Sequence, residues 1–268
     1  MTLTQKEIEA AAAELFEAEK TGKQIGLLSV RHPEMTMDDA YAVQTALVTM
    51  KRESGNAITG WKIGLTSKAM QLALGIDIPD SGVLFEDMHF KSGETVPKNR
   101  FIQPRIEAEI AFFMKSDLGG EHVTRDDVIN ATEAVAPSIE ILDTRILRAD
   151  PSSGAPRKIV DTISDNAANA GIVLGEARHP IDAHDLRWIG AIVKSNGEVE
   201  ETGLGAGVLD DPIKSVQWLA HRMALYGQTI KAGQVVLSGS FIRPLECPSG
   251  TQISADFGSF GTIDIAFD

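Results

Sequence analysis

The spacing of apolar and polar positions predicts helices in the first part of the chain. Two early stretches carry apolar residues three and four positions apart, as amphipathic helices do. The first follows a capping box formed by Thr4 and Glu7 and should end near Gly22. The second should begin near Thr36 and end at Gly55. Residues 1–56 are therefore expected to form a helical N-terminal part.

From residue 57 onward the pattern predicts mainly short strands. They are expected at residues 57–65, 83–86, 106–114, 136–146, 170–174, 187–194, 198–202, 234–238 and 259–267. The Asn196-Gly197 pair lies between two of them and is typical of a tight hairpin turn. Further helices are predicted at residues 66–75, 124–134 and 211–226. The whole chain is thus expected to be one α+β domain, with residues 57–268 as a β-rich body.

Composition and charge exclude several classes of function. The 268 residues are 43% hydrophobic and 24% charged, which is ordinary for a folded soluble protein with a substantial core. A formal charge of -13 argues against binding to nucleic acid or to an anionic membrane surface. The single cysteine, Cys247, excludes an internal disulfide and fits a reducing compartment. With no signal-peptide pattern and no membrane-spanning run, the sequence predicts a cytoplasmic protein.

Three glutamates in predicted strands are candidates for binding a metal ion. Glu107 and Glu109 are two positions apart, so both should point to one face of their strand, with Cα atoms about 7 Å apart. Glu140 lies in another strand, between Ile139 and Ile141. A half-exposed strand would also account for them, but buried carboxylates need a positive partner. A site made only of oxygen ligands favours Mg²⁺ or Mn²⁺.

Lys62 and Asp80 are the candidates for proton transfer. Lys62 is the lone lysine in an otherwise apolar strand, residues 57–65. If it points inward, loss of solvent should lower its pKa and let it move protons near neutral pH. If it points outward, it is an ordinary surface lysine. Asp80 lies in a predicted turn, where aspartate is also common for structural reasons.

Two further segments carry polar groups that could bind an anionic substrate. Residues 157–170 are rich in small polar side chains, among them Ser164, although the same composition fits a capped helix start. Residues 237–244 place Gly239 and Ser240 close to Arg243, and glycine lets backbone N–H groups approach an anion. The GLGAG segment at residues 203–207 lacks the spacing and setting of a dinucleotide site. The six histidines are scattered, without the spacing of a metal site.

Six segments, taken in order, resemble one known family. They resemble the hydratases and decarboxylases of aromatic meta-cleavage pathways, which are related to fumarylacetoacetate hydrolase. The segments are KIGLTSKAMQ (62–71), PDSGVLFEDM (79–88), PRIEAEIAF (104–112), PSIEILDTRI (137–146), RKIVDTISDNAANAG (157–171) and SGSFIRP (238–244). The resemblance runs over nearly the whole chain. It implies a β-rich roll of mixed sheets with a flanking helical layer, and homo-oligomers that are often pentamers or decamers.

The resemblance also implies roles for individual residues. It makes the three glutamates Mg²⁺ ligands and Lys62 and Asp80 the acid and base, and it places Ser164 against the substrate. Ser240 and Arg243 are further candidates for substrate binding, and Arg243 or Arg145 could meet a second carboxylate.

The implied reaction is the addition of water to a 2-oxo or 2-hydroxydienoic diacid, with 4-hydroxy-2-oxoheptanedioate as the expected product. One alternative is a related decarboxylase that releases CO₂ from a similar 2-oxo acid. Another is a hydratase for 2-hydroxypenta-2,4-dienoate, which lacks the second carboxylate. A third is a non-catalytic subunit, which would have no reason to keep the glutamates, Lys62 and Asp80. Asp80 favours the hydratases, because the decarboxylases tend to have an apolar residue after that proline.

Overall fold

The computed structural model describes residues 1–68, 71–72 and 78–268. The helix predicted at residues 66–75 falls largely outside this part of the chain. Six α-helices are seen in the described part: α1 (Gln5–Thr21), α2 (Leu28–Arg31), α3 (Met37–Glu53), α4 (Arg125–Ala131), α5 (Ile159–Ser164) and α6 (Pro212–Ala224). None of them is long and apolar enough to cross a bilayer.

The ends of the N-terminal helices are where local sequence signals place them. The Thr4 and Glu7 side chains form the expected capping box at the start of α1, and Gly22 ends the helix in the left-handed conformation. Thr36 caps α3 in the same way, with Asp39 as its partner. Both predictions are confirmed. The one-turn helix α2 was not predicted, because four residues carry no periodicity.

Thirteen strands are described, and they form two mixed sheets. The larger sheet has the order β2-β1-β10-β5-β6-β7-β3, with β11 also paired to β5, and the smaller has the order β4-β13-β12-β8-β9. The strands are β1 (Ile58–Gly64), β2 (Asp80–Phe85), β3 (His89–Lys91), β4 (Thr95–Val96), β5 (Arg105–Met114), β6 (Thr132–Leu142), β7 (Asn169–Leu174), β8 (Gly190–Ser195), β9 (Glu198–Leu204), β10 (Val235–Leu237), β11 (Leu245–Glu246), β12 (Gln252–Asp256) and β13 (Thr262–Phe267). The predicted α+β class and mixed sheets are confirmed.

All nine predicted strands are present, with shifted ends. The hairpin at Asn196-Gly197 joins β8 and β9, and both residues adopt positive φ as a tight hairpin turn requires. Strands β3, β4, β11 and β12 were missed. The first three have only two or three residues each, and such short strands depend on their neighbours more than on an apolar pattern. The helix predicted at residues 124–134 ends at Ala131, because β6 begins directly at Thr132.

The two faces of the larger sheet have different surroundings. Alternate residues of β5, such as Ile106, Ala108 and Ile110, join the main apolar core, which also includes side chains of α4, α6 and the smaller sheet. A second core is formed mainly by α1, α3 and α5. The remaining residues of β5 face the opposite way, and this opposite face carries Glu107 and Glu109. The strand alternation therefore separates the carboxylates from the main core.

Candidate metal centre and active site

The three predicted glutamates lie together on the larger sheet. β5 and β6 are antiparallel, and their register places Glu107 directly opposite Glu140. Glu109 lies two residues further along β5, on the same face as Glu107. One carboxylate oxygen from each residue lies within 4.8 Å of the other two. Glu109 and Glu140 are fully buried, so this is an inward-facing cluster and not a half-exposed strand.

The hydrogen bonds of the cluster leave oxygen atoms free for a cation. The backbone N–H of Gly239 donates to Glu109 Oε2 at 2.7 Å, and Asn169 Nδ2 donates to Glu140 Oε1 at 2.8 Å. Glu109 Oε1 and Glu140 Oε2 are buried and accept no hydrogen bond from any described residue. Buried carboxylate oxygens without a partner are costly, and a hard divalent cation would satisfy them. The donor set therefore fits a metal ion bound by oxygen ligands.

Burial and mutual repulsion change the acidity of the cluster. Burial, followed by the charge of Glu140, raises the pKa of Glu107 to about 8. The same two causes, with Glu107 as a further source of repulsion, raise the pKa of Glu109 well above its usual value. Without a cation, protons must therefore compensate part of the negative charge.

Lys62 and Asp80, the candidates for proton transfer, lie beside the cluster. β1 and β2 are antiparallel, and the Lys62 ammonium lies 3.4 Å from Glu140 Oε1 and 4.0 Å from Asp80 Oδ1. The side chains of Lys62 and Asp80 are 4% and 3% exposed. Gly64 lies opposite Asp80 in the register, and a Cβ atom there would be 2.2 Å from Asp80 Oδ1. Glycine at position 64 therefore leaves the space that Asp80 occupies.

The expected pKa shift of Lys62 was wrong in direction. Burial by itself does lower the pKa, but the carboxylates of Glu140 and Asp80, with smaller contributions from Glu107 and Glu109, outweigh burial and raise it. Burial raises the pKa of Asp80, and the nearby charge of Lys62 opposes that rise only in part. Lys62 is therefore a charged partner of the carboxylates, and Asp80 is the group inclined to hold a proton.

Sequence reasoning did not assign the residues that support Glu140. Asn166, Ala167 and Ala168 have φ values of 50°, 52° and 60°, an unfavourable left-handed turn for residues with side chains. The turn leads directly into Asn169, whose amide holds Glu140. Asn166 exchanges two hydrogen bonds with the backbone of Val83 on β2, at 2.8 and 2.9 Å. The small polar residues of this segment thus serve as a support for the cluster.

Arg145 also stabilises this turn and is not available to a substrate. Its backbone N–H and its Nε both donate to the Asp165 carboxylate, at 2.7 and 2.5 Å. Its terminal nitrogens donate to the backbone oxygens of Asp143, Asp165 and Asn169. The guanidinium is buried and ion-paired. Arg145 therefore has no N–H group left to donate to a second carboxylate of the substrate.

The three predicted substrate-binding residues lie in different settings. Ser164 is buried, and its hydroxyl donates to the carbonyl oxygen of Val160 one helical turn earlier. The Ser240 hydroxyl donates to the carbonyl oxygen of Ile242 and accepts from its N–H. Arg243 is 80% exposed and forms an ion pair with Glu201. All three assignments stay predictions, and the structure does not bring Arg243 to the carboxylate cluster.

Cys247 and the GLGAG segment both have structural roles. Cys247 is buried, and burial raises the pKa of its thiol to about 12, as expected for a structural cysteine. Gly203 and Gly205 of the GLGAG segment lie against backbone, because added Cβ atoms would be 1.9 Å from the Phe241 oxygen and 2.1 Å from the Leu186 oxygen. Close packing therefore accounts for glycine at these two positions.

Metal binding should strengthen as pH rises. A cation must displace the protons that the raised pKa values keep on Glu107 and Glu109, so each proton released gives about a tenfold gain in affinity per pH unit below the pKa. Calorimetric titration with Mg²⁺ at pH 6, 7 and 8 would measure this gain. Buffers of different ionisation enthalpy would show the proton release. Affinity that is equal at the three pH values would contradict the expectation.

Stability without metal should change in the opposite direction. Because folding raises these carboxyl pKa values, their contribution to stability is fully present below the ordinary value near 4.5 and is lost as pH rises through about 8. The metal-free protein should therefore unfold at lower temperature at pH 8 than at pH 6, and Mg²⁺ should raise the unfolding temperature more at pH 8.

Comparison with known proteins decides the family. The chain is 47% identical over 256 residues to 2-oxo-hept-4-ene-1,7-dioate hydratase of Escherichia coli, an alignment that covers 96% of each protein. The chain belongs to this hydratase family. Another relative in the hydratase family is 2-keto-4-pentenoate hydratase of Paraburkholderia xenovorans, 36% identical over 266 residues that cover 99% of this chain and 97% of the relative. A scan against protein-family models gave no match.

Solved structures agree with this assignment. The 4-oxalocrotonate decarboxylase from Pseudomonas putida G7, complexed with magnesium and adipate, superposes with a TM-score of 0.93 at 32% identity, covering 100% of this chain and 99% of that one. Fumarylpyruvate hydrolase from Pseudomonas aeruginosa, in complex with Mn²⁺ and pyruvate, gives a TM-score of 0.57 at 12% identity over 77% of this chain and 88% of that one. The second likeness shows the fold alone. The hydratase family thus shares its fold with hydrolases of the fumarylacetoacetate type, as expected from the sequence.

Proposed function

We propose that this chain adds water to 2-oxohept-4-ene-1,7-dioate and yields 4-hydroxy-2-oxoheptanedioate. The observation that carries the proposal is the buried Lys62–Asp80 pair next to three carboxylates that fit a metal ion. The Escherichia coli relative, which is named for this hydratase activity, supports the choice of substrate. Asp80 supports hydration over decarboxylation.

The proposed cofactor is Mg²⁺, with Mn²⁺ as a possible substitute. Glu107, Glu109 and Glu140 would hold it, since they supply only oxygen ligands. When bound, the cation would act as a Lewis acid on the 2-oxo group of the substrate. The decarboxylase that superposes on this chain was solved with magnesium, which supports the choice of metal.

The protein's own groups would then move the protons. Asp80, whose pKa burial raises, is suited to hold a proton near neutral pH and deliver it to C5 of the dienol form, giving the conjugated 3-ene. The proton of the dienol 2-hydroxyl would pass to solvent as the 2-oxo group forms. Water would then add at C4 with its proton passing to the Asp80 carboxylate, and C3 of the resulting enolate would take a proton from solvent to complete the product. Lys62 stays charged between Glu140 and Asp80, where it stabilises the carboxylates and the negative charge that develops on the substrate's 2-oxygen.

A comparison of three substrates tests the proposal. The dienol forms of the seven-carbon diacid, the six-carbon diacid and the five-carbon monoacid are assayed with Mg²⁺ for loss of conjugated absorbance and for release of CO₂. The seven-carbon diacid should give the highest kcat/KM, without CO₂. Fastest loss of the six-carbon diacid together with CO₂ release would identify a 4-oxalocrotonate decarboxylase instead. A preference for the monoacid would identify a 2-hydroxypenta-2,4-dienoate hydratase.

A further inference from the structure

Three arginines lie close together at the start of β5. Arg105 is the first residue of this strand, and strand alternation places it on the face that carries Glu107. Its partner in the register with β11 is Glu246, whose two carboxylate oxygens bind Arg148 at 2.7 and 2.9 Å. The backbone N–H of Arg157 donates to the carbonyl oxygen of Arg148 at 2.9 Å. A positively charged group of side chains thus lies beside the carboxylate cluster.

Two of these arginines have buried donors without acceptors. Arg105 Nε and Arg157 Nη1 are shielded from solvent, yet neither donates to any residue that the structure describes. A buried N–H without an acceptor is unfavourable, and a charged one more so. Burial lowers the pKa of Arg157; Asp165 opposes this effect, and the charges of Arg105 and Arg148 add to it. Asp165 and Asp161 therefore act on Arg157 only from a distance, and Arg157 forms no ion pair with a described carboxylate.

Three other arginines, Arg145, Arg243 and Arg148, have their partners. Arg145 is held by Asp165 and by backbone oxygens, and Arg243 is exposed and bound to Glu201. Arg148 is occupied by Glu246. Arg157 and Arg105, in contrast, each keep a buried donor nitrogen that has no acceptor among the described residues.

We propose that Arg157, together with Arg105, binds the second carboxylate of a dicarboxylic substrate whose 2-oxo end is held at the glutamate cluster. This inference rests on the proposed function. Strand geometry places the Cα atoms of Arg105 and Glu107 about 7 Å apart, so an extended carbon chain could reach from one group to the other. A guanidinium offers paired donors that match the two oxygens of a carboxylate.

The same arrangement would select against a substrate with one carboxylate. A five-carbon monoacid could occupy the metal end but would leave the donors of Arg157 and Arg105 without a partner. Sites built to hydrogen-bond a substrate group discriminate strongly against analogues that lack it, because the buried protein groups then stay unpaired. The inferred substrate class is therefore 2-oxo acids with a distal carboxylate.

Arg157→Gln is the decisive variant. It should raise KM for the seven-carbon diacid about ten- to a hundredfold, as expected for losing a hydrogen bond to a charged group. KM for the five-carbon monoacid should change by no more than about twofold, a change typical of a substitution without a specific contact. Arg148→Gln is the matched control: it removes a neighbouring arginine already paired with Glu246, and both KM values should stay within about twofold.

Further measurements distinguish a failure of this inference from a failure of the proposed function. Arg157→Lys keeps the charge and should recover part of the lost affinity for the diacid. Unfolding temperature and Mg²⁺ affinity, measured for each variant, would show whether the site is intact. The inference requires that the wild-type protein hydrates the diacid. It is then wrong if Arg157→Gln lowers kcat/KM equally for the diacid and the monoacid, and it is also wrong if Arg157→Gln lowers kcat/KM for neither of them. If the wild-type protein hydrates neither substrate, the proposed function itself fails.

Discussion

Replacing Glu109 with glutamine is expected to lower Mg²⁺-dependent turnover by about a thousandfold or more. Glu109 is fully buried, and its Oε1 is without a hydrogen-bond partner among the described residues. Glutamine has the same shape but no negative charge, and its oxygen can still accept the Gly239 N–H that Glu109 accepts at 2.7 Å. The loss is large because Lewis-acid stabilisation contributes several kcal/mol, and each 1.36 kcal/mol is about tenfold in rate.

The same substitution should affect stability in a way that a damaged fold would not. Because burial raises the pKa of Glu109, the wild-type carboxyl costs stability once pH is high enough to ionise it. The metal-free glutamine variant should therefore unfold at a higher temperature than the metal-free wild type at pH 9, with little difference at pH 5. Added Mg²⁺ should stabilise the wild type and not the variant.

Steady-state kinetics, calorimetry with Mg²⁺ and thermal unfolding would measure these effects. Glu198→Gln is a suitable control, since Glu198 is an exposed residue of β9 and the same chemical change there should alter neither turnover nor Mg²⁺ affinity. Full activity of the Glu109 variant in the presence of EDTA would show that catalysis does not use a metal at this cluster.

Asp80→Asn should lower kcat about a hundred- to ten-thousandfold while leaving Mg²⁺ binding in place. Asp80 is buried near Lys62 and is separate from the three residues that form the metal cluster. Asparagine fits the space beside Gly64 but cannot release or accept the proton that the reaction moves. Since burial raises the pKa of Asp80, this group can be protonated at the start of the cycle.

Kinetics and calorimetry on one preparation separate the possible outcomes for Asp80. Loss of kcat with unchanged Mg²⁺ affinity supports a role in proton transfer. Loss of both would assign Asp80 to metal binding, and unchanged kcat would remove it from the mechanism. Release of CO₂ by the wild type, but not by the variant, would show that Asp80 acts in decarboxylation and not in hydration.

Local sequence signals predicted those parts of the fold that depend on neighbouring residues. The capping residues Thr4 and Thr36 mark helix starts, because a side chain three positions away completes each cap. The turn at Asn196-Gly197 was predictable, because few other residues adopt positive φ at two successive positions. Short edge strands such as β4 and β11 were not, since their pairing depends on distant partners.

In the candidate site, too, local features were predictable from the sequence, whereas contacts between distant segments were not. The two-residue spacing of Glu107 and Glu109 was enough to place them on one face of a strand. The sequence alone could not show that Asn169 holds Glu140, or that three left-handed residues form the turn before it. The pKa of Lys62 was predicted with the wrong sign, because its shift depends on charges contributed by β2, β5 and β6 as well as on its own apolar strand.

The sequence by itself determined which residues were candidates for chemistry and which face of each strand they share, because alternation along a strand is a local property. The family resemblance added the hypothesis that three of them bind a metal ion. Only the tertiary structure decided the register that sets Glu107 opposite Glu140 and brings Lys62 within 3.4 Å of it. It also decided which arginines keep a buried donor without an acceptor among the described residues. Those outcomes depend on packing between segments far apart in the chain, where Coulomb interactions and burial act through space.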